Sequence, residues 1–144
     1  MSAQANKQMV QDIYEALGRG ERTKFLEALH DDLVMQVMGS SSWSQTVRGK
    51  RKFLDVFFGH VTSRLSARSP STLVRCLADD DWVVVEAKGN MVALDGRPYE
   101  NDYCIHYRIQ GDKIVEMKEY MDTALCEDRL GKFPDEIKAK LREN

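Results

Sequence analysis

The chain has 144 residues, of which 42% are hydrophobic and 31% are charged, and its formal net charge is −2. A chain of this length can fold as one domain whose core needs no metal or disulfide. The balanced charge excludes the strongly basic surface that binds nucleic acid or an anionic membrane, so we expect neither as a partner.

Helices are predicted in the first half of the chain. Apolar residues recur at helical spacing within residues 6–17 and 21–29, and two glycines separate these segments. A short apolar run at residues 33–38 predicts a strand, and a polar loop that contains Trp43 follows it. A third helix is predicted over residues 50–64.

Strands are predicted in the second half. The strand patterns cover residues 72–78, 82–94, 99–110 and 113–121. Asp95-Gly96 predicts a hairpin turn between the second and third of them. A short helix is predicted over residues 123–130, and the charged residues 132–144 are predicted to form a tail outside the core. Helices followed by a meander of antiparallel strands predict an α+β fold with one curved sheet wrapped around the N-terminal helices.

Composition also bears on cofactors and location. The three cysteines are widely spaced and lack a CxxC pattern, which is typical of reduced thiols in a cytoplasmic protein. The three histidines have no metal-ligand spacing, so we expect no metal. Residues 1–9 contain no apolar stretch of signal-peptide length, and no run reaches the roughly 20 apolar residues of a membrane span. We therefore expect a cytoplasmic protein without a membrane partner.

Three segments, taken in order, resemble one group of proteins. Residues 11–21 (QDIYEALGRGE), with Asp31 and Asp32 before a strand, resemble the opening of ketosteroid isomerase. Residues 38–50 (MGSSSWSQTVRGK) resemble the loop into the third helix of SnoaL-like proteins. Residues 96–122 (GRPYENDYCIHYRIQGDKIVEMKEYMD) resemble the last hairpin of SnoaL-like polyketide cyclases and of limonene epoxide hydrolase. The chain thus resembles the SnoaL-like, ketosteroid-isomerase-like members of the nuclear transport factor two-like superfamily.

This resemblance implies a single domain over residues 1–144, with its core at about residues 6–130. It implies a cystatin-like α+β barrel, in which a cone-shaped antiparallel sheet and the helices enclose one pocket for a small apolar molecule. Such domains are commonly homodimers, so a homodimer is expected. The resemblance does not imply one reaction, because this fold hosts many.

The resemblance to ketosteroid isomerase implies a carboxylate base and two proton donors at the enolate oxygen. The base position aligns with Val37, the tyrosine donor with Ile13, and the acidic donor with Ile105. Tyr14 lies one residue from the tyrosine position and is turned about 100° around the helix. Because the three aligned residues are apolar, we do not expect steroid isomerisation by that mechanism. Val37, Ile105 and Tyr14 are instead predicted to contact the substrate.

The resemblance to limonene epoxide hydrolase implies two carboxyl groups that are bridged by an arginine. One of the two carboxyl groups activates water, and the other protonates the epoxide oxygen. One carboxylate aligns with Glu119 on the last strand. The other carboxylate and the arginine align near Glu86 and Lys88, with the charge order inverted. These three residues are predicted to form an acid–base cluster that differs from the family's triad. Asp122 resembles the acid position of SnoaL-like cyclases, and Trp43 is predicted near the pocket mouth.

Strand periodicity gives an independent view of the same residues. Residues two apart share a face of a strand, so Met117 and Met121 face the pocket if Glu119 does. This apolar surround would raise the pKa of the carboxyl group and make it a base near neutral pH. One face of the neighbouring strand carries Asn101, Tyr103, Ile105 and Tyr107. Asn101 and Tyr103 are predicted to form hydrogen bonds with the substrate.

Each polar candidate also has a purely structural explanation. Glu119 can be an exposed carboxylate that pairs with Lys118. Glu86 and Lys88 can belong to a cross-strand charge ladder. Asp122 directly precedes a predicted helix and is favoured as its N-cap. Tyr103 and Tyr107 can be ordinary strand residues. Met35, Met38, Met117 and Met121 are typical of a core.

Three functions follow from these alternatives. The leading hypothesis is a cofactor-free isomerase, cyclase, dehydratase or epoxide hydrolase that applies acid–base chemistry to an apolar substrate, with Glu119 as the base. The second is a non-catalytic ligand-binding or dimeric accessory domain of the same fold. The third is a protein-interaction domain, which would require a large exposed apolar patch.

Overall fold

The computed structural model describes residues 2–143 of the chain. α1 begins after Ser2, whose hydroxyl accepts a hydrogen bond from the backbone N–H of Ala5 (3.1 Å), as an N-cap residue does. The helical segments are α1 (Ala3–Gly18), α2 (Thr23–Ala28), a π-helical segment (Lys52–Phe57) that continues as α3 (Phe58–Ser63), α4 (Thr123–Leu130) and α5 (Asp135–Arg142). None of the helices within these described residues is long and apolar enough to span a bilayer.

The strands form two sheets. They are β1 (Leu29–Val37), β2 (Gln45–Arg48), β3 (Leu65–Ala67), β4 (Thr72–Asp79), β5 (Trp82–Lys88), β6 (Met91–Ala93), β7 (Pro98–Tyr99), β8 (Asp102–Gln110) and β9 (Lys113–Met121). The large sheet has the order β2-β1-β9-β8-β5-β4, and the small sheet has the order β3-β6-β7. Neighbours in the large sheet are antiparallel, except that β1 and β9 run parallel. The predicted α+β fold is confirmed, with a curved sheet that stays open rather than closing into a barrel.

The long strand predicted over residues 82–94 is interrupted at Gly89. The backbone N–H of Gly89 donates to the carbonyl oxygen of Asn101 (2.8 Å). A Cβ atom on Gly89 would lie 3.1 Å from a ring carbon of Tyr103 and 3.3 Å from the backbone nitrogen of Asn101. The close approach of the two segments therefore disfavours a residue with a side chain at this position. Beyond this point the hairpin leaves the large sheet. Its short strands β6 and β7 pair with each other, and β6 also pairs with β3.

The prediction that residues 132–144 form a tail outside the core was wrong for the described part of that segment. Phe133 and Leu141 are only 3% and 5% exposed. α5 packs against the π-helical segment and β2, and the ammonium group of Lys52 donates to the carbonyl oxygen of Leu141 (3.3 Å). The charged residues of α5 occupy its exposed side, so a mostly polar composition concealed two core residues.

The interior of the molecule lies between the concave face of the large sheet and the helices. Alternate residues of β1, β5 and β8 are buried on this face, and the residues between them are exposed or half-buried. α1 covers β4 and β5, while the π-helical segment lies over β2. The side chains of the concave face and the helices do not fill all of the space between them.

Candidate functional site

A cavity of about 420 Å³ lies between the concave face of the sheet and the helices. Its size suits a small organic molecule. Most of its wall is apolar and includes Met35, Phe53, Phe57, Phe58, Val61, Ile105, Met117 and Met121. The polar groups in its interior are the carboxyl group of Glu119, the thiol of Cys126 and the hydroxyls of Tyr14, Tyr99, Tyr103 and Tyr107. This mixture of an apolar wall and few polar groups is typical of small-molecule sites.

Glu119 is the only acidic residue of the cavity wall among the described residues. It lies on β9 in register with Val37 of β1 and Ile105 of β8. Within residues 2–143 no group donates a hydrogen bond to its carboxylate. The residue is half-buried because its accessible surface faces the cavity. Burial without a compensating partner raises the pKa of Glu119 from its usual 4.5 to about 7.

Three tyrosines surround Glu119 in the cavity. The hydroxyls of Tyr14 and Tyr107 form a hydrogen bond of 2.7 Å in which either group can be the donor, and their rings meet edge to face. Burial raises the pKa of Tyr14, Tyr103 and Tyr107 well above the usual 10, and the negative charge of Glu119 raises it further. The phenols therefore remain protonated at neutral pH and can donate hydrogen bonds, with one of the Tyr14 and Tyr107 protons engaged in the bond between them.

Tyr99 and Cys126 also belong to the cavity wall, and the sequence analysis missed both. Burial raises the pKa of the Cys126 thiol to about 12, so the thiol is protonated at neutral pH and is a poor nucleophile. The hydroxyl of Tyr99 accepts a hydrogen bond from the amide of Asn101 (3.1 Å). The Asp95-Gly96 hairpin could have indicated the position of Tyr99, because the turn pairs Tyr99 with Met91, and both residues line the cavity.

Asn101 does not line the cavity, contrary to the prediction that it contacts the substrate. Its side chain is fully buried and is already hydrogen-bonded to the end of β9. The amide nitrogen donates to the carbonyl oxygen of Asp122 (3.0 Å), and the amide oxygen accepts from the backbone N–H of Asp122 (3.1 Å). Asn101 therefore joins the start of β8 to the end of β9 and has no free donor toward the cavity.

Asp122 is the N-cap of α4. Its carboxylate accepts a hydrogen bond from the backbone N–H of Leu125 (3.1 Å). The residue is exposed and lies outside the cavity wall. The structural explanation of this residue is thus the one observed, and the alternative of an acid in the pocket is not.

Glu86 and Lys88 do not join Glu119, so the predicted acid–base cluster is not formed. On β5 the residues that face inward are Val83, Val85 and Ala87, which places Glu86 and Lys88 on the convex face. There Glu86 pairs with Arg75 (3.3 Å) on the neighbouring strand, and Lys88 pairs with Asp102 (3.0 Å). The two residues form the cross-strand charge ladder that was the alternative prediction.

The remaining candidates divide between the cavity wall and the packed interior. Tyr103, Tyr107, Ile105, Met117 and Met121 line the cavity, on the strand faces where they were predicted. Trp43 also borders the cavity but is only 1% exposed, so it lies in the interior and not at the mouth, where it was predicted. The indole N–H of Trp43 donates to the carbonyl oxygen of Gly131 (2.8 Å), which fixes the ring. Tyr14 lines the cavity, whereas Ile13 is buried outside its wall, so the tyrosine near the aligned position does reach the site. Val37 is buried but is not part of the wall.

No cluster of three or more His, Cys, Asp or Glu side chains that could hold a metal ion occurs in the part of the chain that the structure describes. The arrangement instead brings one carboxyl group with a raised pKa close to several protonated phenols. Such a carboxyl group is about half ionised near neutral pH and can take up a proton, while a phenol can donate a hydrogen bond to an oxygen that gains negative charge.

Solved structures with similar folds resemble the chain at low sequence identity. An NTF2-like protein of unknown function from Burkholderia pseudomallei is 21% identical, with a TM-score of 0.74 over 90% of this chain and 98% of the other. TerC, co-crystallized with polyporic acid, is 19% identical, with a TM-score of 0.72 over 87% and 97%. An LEH-like epoxide hydrolase from M. tuberculosis is 19% identical, with a TM-score of 0.66 over 89% and 90%. At these identities the likeness concerns the fold alone.

The sequence itself carries the family relationship. No curated protein matches it. Residues 10–117 match the family described as the SnoaL-like domain, and this segment includes β1, β5, β8 and half of β9. The match covers most of the chain and agrees with the resemblance found in its motifs. The chain therefore belongs to the family of SnoaL-like domains.

Proposed function

We propose that this SnoaL-like domain is a cofactor-independent enzyme that removes a proton from a small, largely apolar substrate bound in the cavity. The observation that carries the proposal is the carboxyl group of Glu119, which is buried in an apolar wall and accepts no hydrogen bond from any of the described residues. A structural carboxylate would be paired or exposed, because an unpaired buried charge lowers the stability of the fold. A base poised near neutral pH needs the environment that Glu119 has.

The proposed step is proton abstraction next to a carbonyl group. One carboxylate oxygen of Glu119 takes the proton from the carbon atom, and the electron pair of the broken C–H bond moves toward the carbonyl oxygen. The enolate oxygen then accepts hydrogen bonds from Tyr103 or from the Tyr14–Tyr107 pair. Glu119 then returns the proton to another carbon atom of the substrate, which completes an isomerisation. Alternatively, the enolate carbon attacks a second carbonyl group of the substrate, and Glu119 returns the proton to the oxygen of that group, which completes a cyclisation.

Among the predicted reaction classes, isomerisation, cyclisation and dehydration fit the cavity better than epoxide opening. Epoxide hydrolysis of the limonene type requires two carboxylates bridged by an arginine. Among the described residues of the cavity wall Glu119 has no second carboxylate beside it, and Glu86 lies on the convex face. The relatives of similar fold include both an LEH-like epoxide hydrolase and TerC with polyporic acid, which supports a small-molecule site without selecting one reaction.

The test measures proton abstraction directly. The protein is incubated in D₂O with a panel of β,γ-unsaturated ketones and 1,3-dicarbonyl compounds, and exchange of the α-proton for deuterium is followed by NMR. For a compound that the wild type exchanges, Glu119→Gln should lower the rate about 100-fold or more, because a positioned base contributes that much. The wild-type rate should rise with pH and level off above about 7, where Glu119 is ionised.

Glu86→Gln is the matched control for this experiment. Glu86 is also a strand glutamate, but it faces away from the cavity and pairs with Arg75. Its substitution should change the exchange rate less than twofold. Equal rates for wild type and Glu119→Gln would remove Glu119 as the base.

A non-catalytic ligand-binding domain is the second candidate. It is favoured by the absence of a second acid or base beside Glu119 among the described residues of the wall. In that case ligands would bind to wild type and to Glu119→Gln, and neither protein would exchange protons of any compound in the panel.

A further inference from the structure

Two arginines stand in the wall of an otherwise apolar cavity. Arg22 precedes α2, and Arg68 follows β3, so they come from separate parts of the chain and meet at the same cavity. Both are exposed, whereas Glu119 and the tyrosines lie in the interior. The two guanidinium groups therefore mark the mouth of the cavity.

Neither arginine has an acidic partner among residues 2–143. Most other arginines of the chain form ion pairs, such as Arg75 with Glu86 and Arg108 with Asp81 and Glu116. The guanidinium group of Arg68 instead lies over the ring of Phe58, 5.1 Å from its centroid. Burial lowers the pKa of Arg68, and the positive charge of Arg22 lowers it further. Two neighbouring cations without an ion-pair partner among the described residues make the mouth of the cavity electrostatically favourable for an external anion.

Electrostatics also fixes the orientation of such a ligand. An anionic group would be repelled by the ionised carboxylate of Glu119 in the interior and attracted by the arginines at the mouth. The apolar part would then extend into the cavity and bring its reacting atoms to Glu119. A molecule with one anionic end and an apolar body satisfies both ends of the cavity.

We propose that the ligand of this cavity carries one anionic group, a carboxylate or a phosphate, that binds Arg22 and Arg68 at the mouth. The inference rests on the proposed function in taking the cavity as the substrate site. It adds the substrate class, which is an amphiphilic anion, and it assigns Arg22 and Arg68 as residues that determine specificity.

The test compares three ligands that share a chain and differ in the head group: octanoate, octyl phosphate and 1-octanol. Binding is measured by isothermal titration calorimetry at pH 6, where Glu119 is mostly protonated. Wild type should bind octanoate or octyl phosphate about tenfold more tightly than 1-octanol, since each exposed ion pair contributes a few-fold in affinity. The relative affinities of the two anions identify the preferred head group.

Arg22→Gln and Arg68→Gln should each weaken binding of the preferred anion about threefold, and the double variant should remove the preference over 1-octanol. The affinity for 1-octanol should stay the same, which also shows that the variants fold. Arg48→Gln is the control, because Arg48 is exposed on β2 and lies outside the cavity wall. It should behave as wild type.

Equal binding of the anions and 1-octanol by wild type, or a preference that survives in the double variant, overturns the inference. This outcome is independent of proton exchange by Glu119→Gln. Loss of exchange in that variant without an anion preference contradicts only the role of the arginines. An anion preference with undiminished exchange contradicts only the role of Glu119 as the base.

Discussion

Two aromatic regions of the interior differ in how completely they are packed. The closed cluster consists of Trp43, Phe57 and Phe133, whose ring centroids lie 4.9–6.3 Å apart. The open cluster consists of Tyr14, Tyr103 and Tyr107, whose hydroxyls face the cavity near Glu119. The rings of the first pack directly against one another around Phe133, which is not part of the cavity wall, although Trp43 and Phe57 also border the cavity. The second borders the space of about 420 Å³ with its hydroxyls.

The comparison separates stability from chemistry. In the closed cluster each ring contacts another ring, so removal of one leaves a void that the neighbours cannot fill. In the open cluster the tyrosine hydroxyls and the nearby carboxyl group already border a void. These groups are removed from water and do not form all the hydrogen bonds that they could. We therefore expect substitutions in the closed cluster to change the free energy of unfolding most. Substitutions around the cavity should mainly change pH dependence and activity.

The largest expected effect on stability is that of Phe133→Ala. Phe133 is 3% exposed and packs on Trp43 and Phe57. Its truncation should lower the free energy of unfolding by about 3–5 kcal/mol, the usual range for a buried phenylalanine. Urea denaturation followed by tryptophan fluorescence measures the change, because Trp43 is in the same cluster.

Phe25→Ala is the matched control for this prediction. Phe25 is half-buried and lines the cavity, so its truncation enlarges an existing space and should lower the free energy of unfolding by less than about 2 kcal/mol. If the two substitutions are equally destabilising, the closed cluster is not better packed than the cavity wall.

The second effect concerns the ionisation of Glu119. Its pKa is raised to about 7 in the folded protein, so the folded state favours the protonated form. The associated stability is fully present below about pH 4.5 and is lost as the pH rises through 7. Glu119→Gln cannot ionise, and at pH 8 it should be more stable than wild type by up to about 3 kcal/mol. Near pH 5 the two proteins should be similar.

Urea denaturation at pH 5, 6, 7 and 8 measures this difference. Glu86→Gln again serves as the control, since Glu86 is partly exposed and paired with Arg75. Its stability relative to wild type should vary by less than about 0.5 kcal/mol over the same range. A constant difference between wild type and Glu119→Gln would mean that the carboxyl group is not desolvated.

Local sequence patterns predicted the parts of the site that lie within one strand. Met117, Glu119 and Met121 share the inward face of β9, because alternation along a strand depends only on the strand itself. For the same reason Tyr103 and Tyr107 were correctly assigned to the cavity face. The order of helices and strands likewise predicted the α+β fold.

The sequence patterns did not predict features that depend on the register between strands or on residues outside the strands. The position of Glu86 relative to Glu119 depends on the register of β5, β8 and β9, which no local pattern contains. Asn101 continues the burial alternation of Tyr103, but its amide is bonded to the backbone of Asp122 and does not line the cavity, which no local pattern indicates. The arginines of the mouth lie in loops, where sequence periodicity gives no signal.

The smallest expected effect concerns the hydrogen bond between Tyr14 and Tyr107. Tyr14→Phe and Tyr107→Phe should each lower the free energy of unfolding by about 1 kcal/mol, the net value of a typical hydrogen bond. Because both remove the same bond, the double variant should be about as stable as either single variant, giving a coupling energy of about 1 kcal/mol. Tyr120→Phe, on the exposed convex face, should change stability by less than about 0.5 kcal/mol.

The coupling energy also bears on how the open cluster acts. A coupling energy near 1 kcal/mol means that one hydroxyl donates its hydrogen bond to the other. The pair then has a single donor left for the substrate. A value near zero would mean that the two hydroxyls are independent in solution and that each can donate to the ligand. In that case the factors by which Tyr14→Phe and Tyr107→Phe lower the exchange rate should multiply in the double variant. If the hydroxyls are coupled, the double variant should exchange protons about as fast as either single variant.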